Sequence, residues 1–482
     1  MTDLRSRWLA LYVLCTGMLM IVLDVTIVNV ALPSIQDDLG FSPSGLAWVV
    51  NAYLIAFGGL LLLAGRLGDL FGQRRVFLAG LVVFTVASVA CGAAVNPAML
   101  VAARFVQGAG GALTSAVILG LIVTMFPQPR DQAKAIGVYA FVASAGGAVG
   151  LLAGGVLTQW VNWHWIFFVN VPIGAVTLAA ALRLLPATTG AGVRAGADVP
   201  GAVLITAALM LGVYTIIVPA ANDGWSATRT LVCGAVTIAL LIGFLAREAT
   251  AALPLMPLRI FGSTTLAGAN IVQMVGAGGM FGSFFLGSLY LEHVQGYRPL
   301  QIGLAFLPVT VLMGTLSVRY SERLVTRFGA HRVLVPGLVL IGAGLAGLAI
   351  APVHASYLTD IFPATALLGL GAGLCFPPMM TLAMSGVAPS DAGLASGLVN
   401  TTAQVGGALG LAVLSTISSG RAATLRAAGR DELHSLTAGY HAAFWIATAL
   451  IGAALLTALA TLRLRRVAAA PAPVESPISV AA

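Results

Sequence analysis

Two ionisable side chains lie inside apolar stretches of this sequence, where a charge needs a partner. Asp24 stands within the run Leu23–Pro33, and Arg104 lies in a later apolar stretch. An unpaired charge in an apolar medium is costly, and an ionisable residue inside a membrane is functional by default. Gln107 and Gly108 follow Arg104 at i+3 and i+4, so they share its helical face. An acid and a base that meet in such surroundings can exchange a proton with solvent.

The composition shows what surrounds these charges. The chain has 482 residues, of which 59% are hydrophobic and only 8% are charged. A soluble domain carries about 25% charged residues and cannot hide this much apolar surface. Apolar stretches cross a bilayer as helices of about 20 residues. The composition therefore predicts an all-α, multi-pass membrane protein and excludes a large soluble enzyme.

Fourteen apolar stretches have the length of a membrane span. They are 8–32, 46–66, 76–95, 98–125, 135–158, 164–185, 199–219, 230–248, 264–291, 300–319, 332–351, 357–385, 396–419 and 440–462. With a cytoplasmic N-terminus, 18 of the 24 Lys and Arg residues fall in inner segments and 5 in outer segments. This bias predicts that both termini are cytoplasmic. The net charge of +8 thus reflects the basic residues of the cytoplasmic segments and does not indicate nucleic-acid binding.

An internal repeat divides the chain. The segment 146–151 matches 406–411 at an offset of 260, and 71–76 matches 328–333 at an offset of 257. Six helices need fewer residues than this offset, which leaves room for two inserted spans. Two parallel six-helix halves around a midplane site are typical of transporters. The predicted units are a six-helix bundle at 1–186, two inserted helices at 187–262, a second six-helix bundle at 263–466 and a disordered cytoplasmic tail at 467–482.

The sequence offers no sign of a metal or cofactor site. Its four cysteines are Cys15, Cys91, Cys233 and Cys375, and none is spaced like a metal ligand or redox pair. No G-x-x-x-x-G-K-[S/T] loop is present, which disfavours nucleotide-driven transport. We therefore expect no cofactor, with a proton gradient as the energy source.

The loop between the second and third spans carries a recognisable signature. It reads G-R-L-G-D-L-F-G-Q-R-R from Gly65 to Arg75. It resembles the cytoplasmic loop of the major facilitator superfamily, G-x-L-a-D-r-x-G-r-r. The glycines permit a tight turn that places an acid near helix ends and arginines. The resemblance implies a cytoplasmic gate formed by Gly65, Asp69, Gly72, Arg74 and Arg75.

Two further motifs resemble those of drug:proton antiporters in that superfamily. Arg104, Gln107 and Gly108 match the R-x-x-Q-G signature of the fourth helix. The fifth helix carries the spaced glycines of the antiporter motif G-x8-G-x3-G-P-x2-G-G, with Leu151 in place of the proline. Those glycines are Gly137, Gly146, Gly150, Gly154 and Gly155. A row of small residues allows neighbouring helices to approach closely.

The first and sixth spans point to one branch of the family. The run Leu23–Pro33 matches l-D-x-T-i-v-N-v-A-L-P, and 163–174 resembles W-R-W-I-F-x-x-N-x-P-x-G with His164 in place of Arg. The chain thus resembles the fourteen-helix drug:proton antiporters. The resemblance implies the major facilitator fold, with two six-helix bundles and two inserted helices. It also implies a multi-pass protein of the bacterial cytoplasmic membrane. It implies a monomer whose partners are a drug-like small molecule, protons and the lipid bilayer.

The residues that would carry transport follow from depth and resemblance. At about 1.5 Å per residue, Asp24 and Arg104 both lie roughly 10 Å below the outer surface, so we expect them to interact and to couple transport to protons. The predicted substrate cavity contains Asp24, Asn29, Tyr53, Arg104, Gln107 and Gln273. Secondary candidates at the outer rim are Glu292, His293 and His164. We regard His164 as an interfacial packing residue more than a proton relay.

The predicted function is proton-coupled efflux of hydrophobic, cationic or amphiphilic drugs by alternating access. A dedicated exporter of one endogenous metabolite or antibiotic is an alternative, because both functions need an apolar cavity. Uptake of a small solute is disfavoured, since it would call for a denser set of cavity charges. A membrane-embedded enzyme or receptor is also disfavoured, because the sequence shows neither clustered catalytic residues nor a soluble domain.

Overall fold

The long elements of this chain are all helices. A computed structural model of the protein describes residues 4–187, 190, 192, 197–256, 258–384 and 392–462. Its long helices are α1 (Leu4–Leu39), α2 (Ala47–Phe71), α3 (Gln73–Gly92), α4 (Pro97–Met125), α5 (Pro129–Trp160), α6 (Trp165–Leu184), α7 (Val199–Ile217), α8 (Thr228–Thr250), α9 (Thr264–His293), α10 (Pro299–Thr315), α11 (Ala330–Ala349), α12 (Phe362–Met384), α13 (Ala392–Ala427) and α14 (Glu432–Thr461).

Twelve helices in the described part of the chain are long and apolar enough to cross a membrane. They include all of these elements except α5 and α10. Helix α10 is a shorter apolar helix, which continues through a π-helical turn at Leu316–Tyr320 into the short helix Ser321–Phe328. The all-helical membrane class is confirmed, whereas the count of fourteen spans and the side on which the termini lie stay predictions.

Local sequence signals explain where several helices begin. Asn96 caps α4, since its side chain accepts a hydrogen bond from the Met99 backbone N–H at 2.9 Å, and Pro97 occupies the first turn. Asp198 caps α7 in the same way through the Gly201 N–H. Helix α5 runs unbroken past Leu151, because leucine keeps the backbone donor that the family's proline would lack.

Helix packing repeats along the chain as the sequence offsets suggest. Helix α5 packs on α1 and α13 packs on α9. Gly150 meets Thr26 at the first contact, and Gly410 meets Gly278 at the second. The turns before α3 and α11 are also equivalent, because Gly72 has φ +94° and Gly329, 257 positions later, has φ +87°.

The two predicted halves meet along two seams. At the first, α2 packs on α13, where a Cβ on Gly58 would lie 2.8 Å from the Gln404 Cβ. The inserted helix α7 covers this seam, since it packs on both α2 and α13. At the second seam, α5 packs on α10.

Helix α8 packs mainly on α7, and an ion pair from Arg247 Nε to Asp198 Oδ1 at 3.0 Å joins one end of each. The inserted pair therefore lies against one side of the protein only.

Some predicted features lie outside the described residues. The tail at 467–482 is among them, as is half of the linker between α6 and α7. The division of the chain at 186, 262 and 466 stays a prediction.

Candidate functional site

The carboxylate of Asp24 is the centre of a buried polar cluster. Its Oδ2 accepts a hydrogen bond from Arg104 Nη1 at 2.5 Å, which is also an ion pair. Its Oδ1 accepts from Gln107 Nε2 at 2.6 Å and from Asn170 Nδ2 at 3.1 Å. Both oxygens are therefore satisfied, as a buried carboxylate requires. The contact expected between Asp24 and Arg104 is present and direct.

The partners of Asp24 are themselves held in place. Arg104 Nη1 also donates to Gln107 Oε1 at 2.7 Å, and Arg104 Nε donates to the Val49 carbonyl at 2.9 Å. Gln107 Nε2 donates to Ser88 Oγ at 2.7 Å. The cluster thus ties five helices together: α1 through the acid, α2 through a carbonyl, α3 through a hydroxyl, α4 through Arg104 and Gln107, and α6 through Asn170.

Aromatic rings flank the guanidinium. The Cζ of Arg104 lies 4.4 Å from the centre of the Tyr53 ring and 5.7 Å from that of Phe167. Asp24 and Gln107 are 0% exposed and Arg104 is 1% exposed. A cation over an aromatic face gains stabilisation when both groups are desolvated. The charge on Arg104 is therefore compensated by the Asp24 carboxylate, the Val49 carbonyl, the Gln107 amide oxygen and two ring faces.

Glycine spacing on α4 creates the room for this cluster. A Cβ on Gly108 would lie 3.0 Å from the Tyr53 Cα, and a Cβ on Gly111 would lie 2.9 Å from the Tyr53 hydroxyl. These contacts show that α2 and α4 approach closely along the glycine face. Because of this approach, Arg104 reaches the Val49 carbonyl on the neighbouring helix.

The residues predicted for a substrate cavity divide into two groups. Asp24, Tyr53, Arg104 and Gln107 come together, but all four are buried and border no solvent in this conformation. Asn29 lies one and a half turns further along α1, where its amide donates to the Val25 carbonyl at 2.9 Å. Gln273 is half-buried on α9 and belongs to the other half. Their assignment to a cavity stays a prediction for a conformation in which the cluster is open.

The loop between α2 and α3 has the predicted tight turn. Gly72 separates the two helices in a left-handed conformation. Asp69 is 60% exposed and lies 3.9 Å from Arg66, while Arg74 Nη2 donates to the Leu182 carbonyl at 2.5 Å. Arg75 is exposed, and Gly65 has open space where a Cβ would be. Their role as a gate stays a prediction.

The glycines of α5 contact two different helices. Gly146, Gly150 and Gly154 face α1, where a Cβ on Gly154 would lie 2.9 Å from the Ile27 carbonyl oxygen. Gly155 faces α10, and its Cβ would lie 2.6 Å from the Leu300 Cα. Gly137 has no atom within 4 Å of that position, so it makes no close approach.

The three secondary candidates differ in the contacts that they make. His164 stacks on Trp163 with ring centres 3.8 Å apart, and its Nδ1 lies 2.9 Å from the Gly92 carbonyl oxygen, which fits a packing residue. His293 Nδ1 lies 3.4 Å from the Tyr440 hydroxyl. Glu292 Oε2 is buried and has no hydrogen-bond partner among the described residues.

Sequence reasoning did not single out three buried polar residues, of which Ser88 and Asn170 belong to the cluster and Asn51 lies on the face of α2 toward α13. Asn170 was visible as the asparagine of the sixth-helix motif, whereas Ser88 is a small hydroxyl in an apolar helix and gave no signal. Asn51 is 0% exposed, and neither atom of its amide has a partner in the described structure. A lone amide in an apolar span was the only available signal for Asn51.

The helical fold and the buried charge cluster together define a membrane transporter, and comparison with known proteins gives its family. The sequence profile of the Major Facilitator Superfamily matches residues 14–411 and 323–480. The chain belongs to this superfamily. It is accordingly a multi-pass transporter of the bacterial inner membrane and not an enzyme.

Curated relatives carry names from antibiotic resistance and export. The chain is 40% identical to the puromycin resistance protein pur8 of Streptomyces alboniger, over 86% of this chain and 83% of that protein. It is 40% identical to the cephamycin export protein CmcT of Amycolatopsis lactamdurans, over 85% and 84%. It is 36% identical to the tetracenomycin C resistance and export protein of Streptomyces glaucescens, over 87% and 78%.

Solved structures agree on the fold. A bacterial homologue of the human lysosomal transporter Spinster, in an inward-facing and unoccupied conformation, superposes with a TM-score of 0.69 at 16% identity. The match covers 96% of this chain and 98% of that one. At this identity the likeness establishes the fold alone.

Proposed function

We propose that this protein exports hydrophobic, cationic or amphiphilic drugs from the cytoplasm by proton-coupled antiport, with alternating access between the two sides of the membrane. The observation that carries the proposal is the ion pair between Asp24 and Arg104, which is closed to solvent on every side in this conformation. The antibiotic resistance and export names of the relatives support efflux as the direction of transport.

A proton bound by Asp24 would change the forces that hold five helices together. Protonation removes the negative charge, so Arg104 loses its ion partner and Gln107 and Asn170 lose a charged acceptor. Charge-assisted hydrogen bonds are roughly twice as strong as neutral ones, so the cluster loosens. Loosening shifts the population toward a conformation in which Asp24 meets solvent. Proton loss then restores the cluster and the closed conformation.

The binding of a cationic substrate can act on the same residue. In a conformation where the cluster is open, a cation and a proton would compete for the one acid. Such competition makes the two ligands exchange across the membrane, which is the requirement for antiport.

The test uses purified protein in proteoliposomes with an imposed pH gradient and a fluorescent amphiphilic cation such as ethidium. We expect gradient-driven transport by the wild type and none by Asp24→Asn. Asp223→Asn serves as the matched control, because this acid lies beyond α7 and its side chain is 40% exposed. Wild-type rates in Asp24→Asn, or transport that survives an uncoupler, would refute proton coupling through this residue.

A second candidate is export of one compound only. The names of the three relatives each refer to a single antibiotic or antibiotic class, which favours this narrower function. A toxicity panel in cells that lack their own pumps separates the two. Protection against several unrelated amphiphiles supports a broad exporter, whereas protection against a single compound supports a dedicated one.

A further inference from the structure

The seam between α5 and α10 is closed at one end. The Leu300 backbone N–H donates to Gln159 Oε1 at 3.3 Å, which joins the two helices. A Cβ on Gly303 would lie 2.5 Å from the Leu151 carbonyl oxygen, so the two backbones nearly touch. The two helices run antiparallel here, since rising numbers on one meet falling numbers on the other.

Toward the other end, residues of the two helices line a cleft of about 350 Å³. This volume lies within the range of about 300–1,000 Å³ that is typical of small-molecule sites. Most of the lining is apolar, from Phe141, Ala145 and Ala148 on α5 and from Val311 and Gly314 on α10. Phe141 is 58% exposed and Val311 is 49% exposed, so the cleft is open along its length.

The cleft faces away from the interior of the protein. On α5, the Cβ position of Gly147 lies 3.4 Å from Thr310 and 4.0 Å from Thr26 on α1, which marks the inward side. With 3.6 residues per turn, Phe141 points about 120° away from Gly147. The cleft therefore opens toward the surrounding lipid and not toward the cluster at Asp24.

The seam between α5 and α10 is not covered by described residues in the way that α7 covers the seam between α2 and α13. Helix α7 lies over the seam between α2 and α13, and in the described part of the chain no inserted helix packs over α5 and α10. An apolar cleft in a membrane that no protein segment covers is filled by lipid chains.

The positively charged side chain of Arg319 lies at the open end of the cleft. Arg319 lines the cleft in the π-helical turn that follows α10, and it forms no ion pair with any described side chain. From residue 300 to residue 319 the chain rises roughly 28 Å at about 1.5 Å per residue, close to the hydrocarbon thickness of about 30 Å. With Leu300 near the outer surface, Arg319 lies at the level of the inner headgroups.

We propose that this cleft is a binding site for an anionic phospholipid of the inner leaflet, with its phosphate on Arg319 and an acyl chain along the apolar lining. Arginine binds phosphate through paired N–H donors, and anionic lipids concentrate near cytoplasmic basic residues. A lipid bound in the cleft would contact both α5 and α10 and so stabilise the present conformation. The inference rests on the proposed orientation in the membrane but not on proton coupling.

The test is native mass spectrometry of the full-length protein titrated with phosphatidylglycerol or phosphatidylcholine. We expect preferential binding of phosphatidylglycerol by the wild type and a loss of about fivefold in affinity for Arg319→Gln, since one arginine near the surface contributes about that factor. Arg327→Gln is the matched control, because this exposed arginine lies beyond the cleft and has the same charge. A second variant, Ala145→Phe, fills the cleft and leaves Arg319 in place, so it should displace the lipid without loss of the cation.

Each alternative outcome would overturn the proposal. Unchanged phosphatidylglycerol binding in both Arg319→Gln and Ala145→Phe would place the lipid elsewhere. Displacement of the lipid by inorganic phosphate alone would reduce the site to a surface anion site. Weaker ethidium binding in Ala145→Phe with unchanged lipid binding would assign the cleft to the substrate. Since lipid binding is measured without a pH gradient, failure of proton coupling leaves this result intact.

Discussion

The carboxylate of Asp24 and the guanidinium of Arg104 lie 2.5 Å apart although the two residues are 80 positions apart in the sequence, and neither is more than 1% exposed. Desolvation makes each charge costly alone, and their mutual attraction offsets that cost only while both are present. Removal of either side chain would therefore leave the other charge buried and unpaired.

The first prediction concerns the energy of this pair. Asp24→Asn or Arg104→Gln should each lower the free energy of unfolding by about 3–5 kcal/mol, because each leaves an unpaired buried charge or its partner groups unsatisfied. The double variant should lose less than the sum of the single losses. Thermal unfolding of the four proteins in one detergent measures this coupling. Additive losses would show that the two side chains do not stabilise each other.

A second prediction concerns the close approach of α5 to α1. Gly150→Ala should weaken this packing and reduce transport, because the new Cβ would collide with the Thr26 hydroxyl. Removal of that hydroxyl in Gly150→Ala/Thr26→Ala should restore part of the lost stability. Gly137→Ala is the control, since its Cβ would enter open space. Equal effects of Gly137→Ala and Gly150→Ala on thermal stability would contradict the predicted contact.

The turn between α2 and α3 gives a third prediction. Gly72 has φ +94° and ψ 131°, a conformation that other residues adopt only under strain. Gly72→Ala should therefore cost about 1–3 kcal/mol and lower transport. Gly329→Ala should have a similar cost, because the second half contains the same turn at φ +87°. Gly65→Ala, at a site with open space, should leave the unfolding temperature unchanged; a comparable drop there would argue against backbone strain as the cause.

The fourth prediction concerns Asn51. This residue lies on the face of α2 that contains Leu54 and Gly58, which both pack toward α13, and its buried amide has no partner in the described structure. An unsatisfied buried polar group costs about 1–3 kcal/mol, so Asn51→Leu should stabilise the present conformation and slow the proposed alternating access, which would move this seam. The unfolding temperature and the ethidium efflux rate test both effects.

Asn270→Leu is the contrasting variant for that prediction. The Asn270 amide is also buried, but it donates to the Leu266 carbonyl at 2.9 Å and accepts from Thr402 at 2.9 Å. Loss of these satisfied hydrogen bonds should lower stability. A fall in stability for both variants would show that Asn51 does have a partner, such as an ordered water.

The sequence by itself determined the class, the family and the central pair. Low charge and long apolar runs permit little except a helical membrane protein, because lipid cannot hydrogen-bond to open backbone. Helical rise alone placed Asp24 and Arg104 at one depth, since rise per residue is nearly constant in a helix. The turn glycines Gly72 and Gly329 could be read from sequence because only glycine takes up those angles readily.

Only the tertiary structure decided which side chains meet across helices. Depth does not fix the rotation or the neighbours of a helix, so Ser88, Asn170 and the Val49 carbonyl could not be assigned to the cluster in advance. The same limit applied to the glycines of α5, where four approach another helix and Gly137 does not. The one-sided position of α7, which leaves the cleft at Arg319 uncovered, also follows from packing between distant segments. Sequence patterns fix contacts that are local along one helix, whereas contacts between helices depend on how all of the helices pack together.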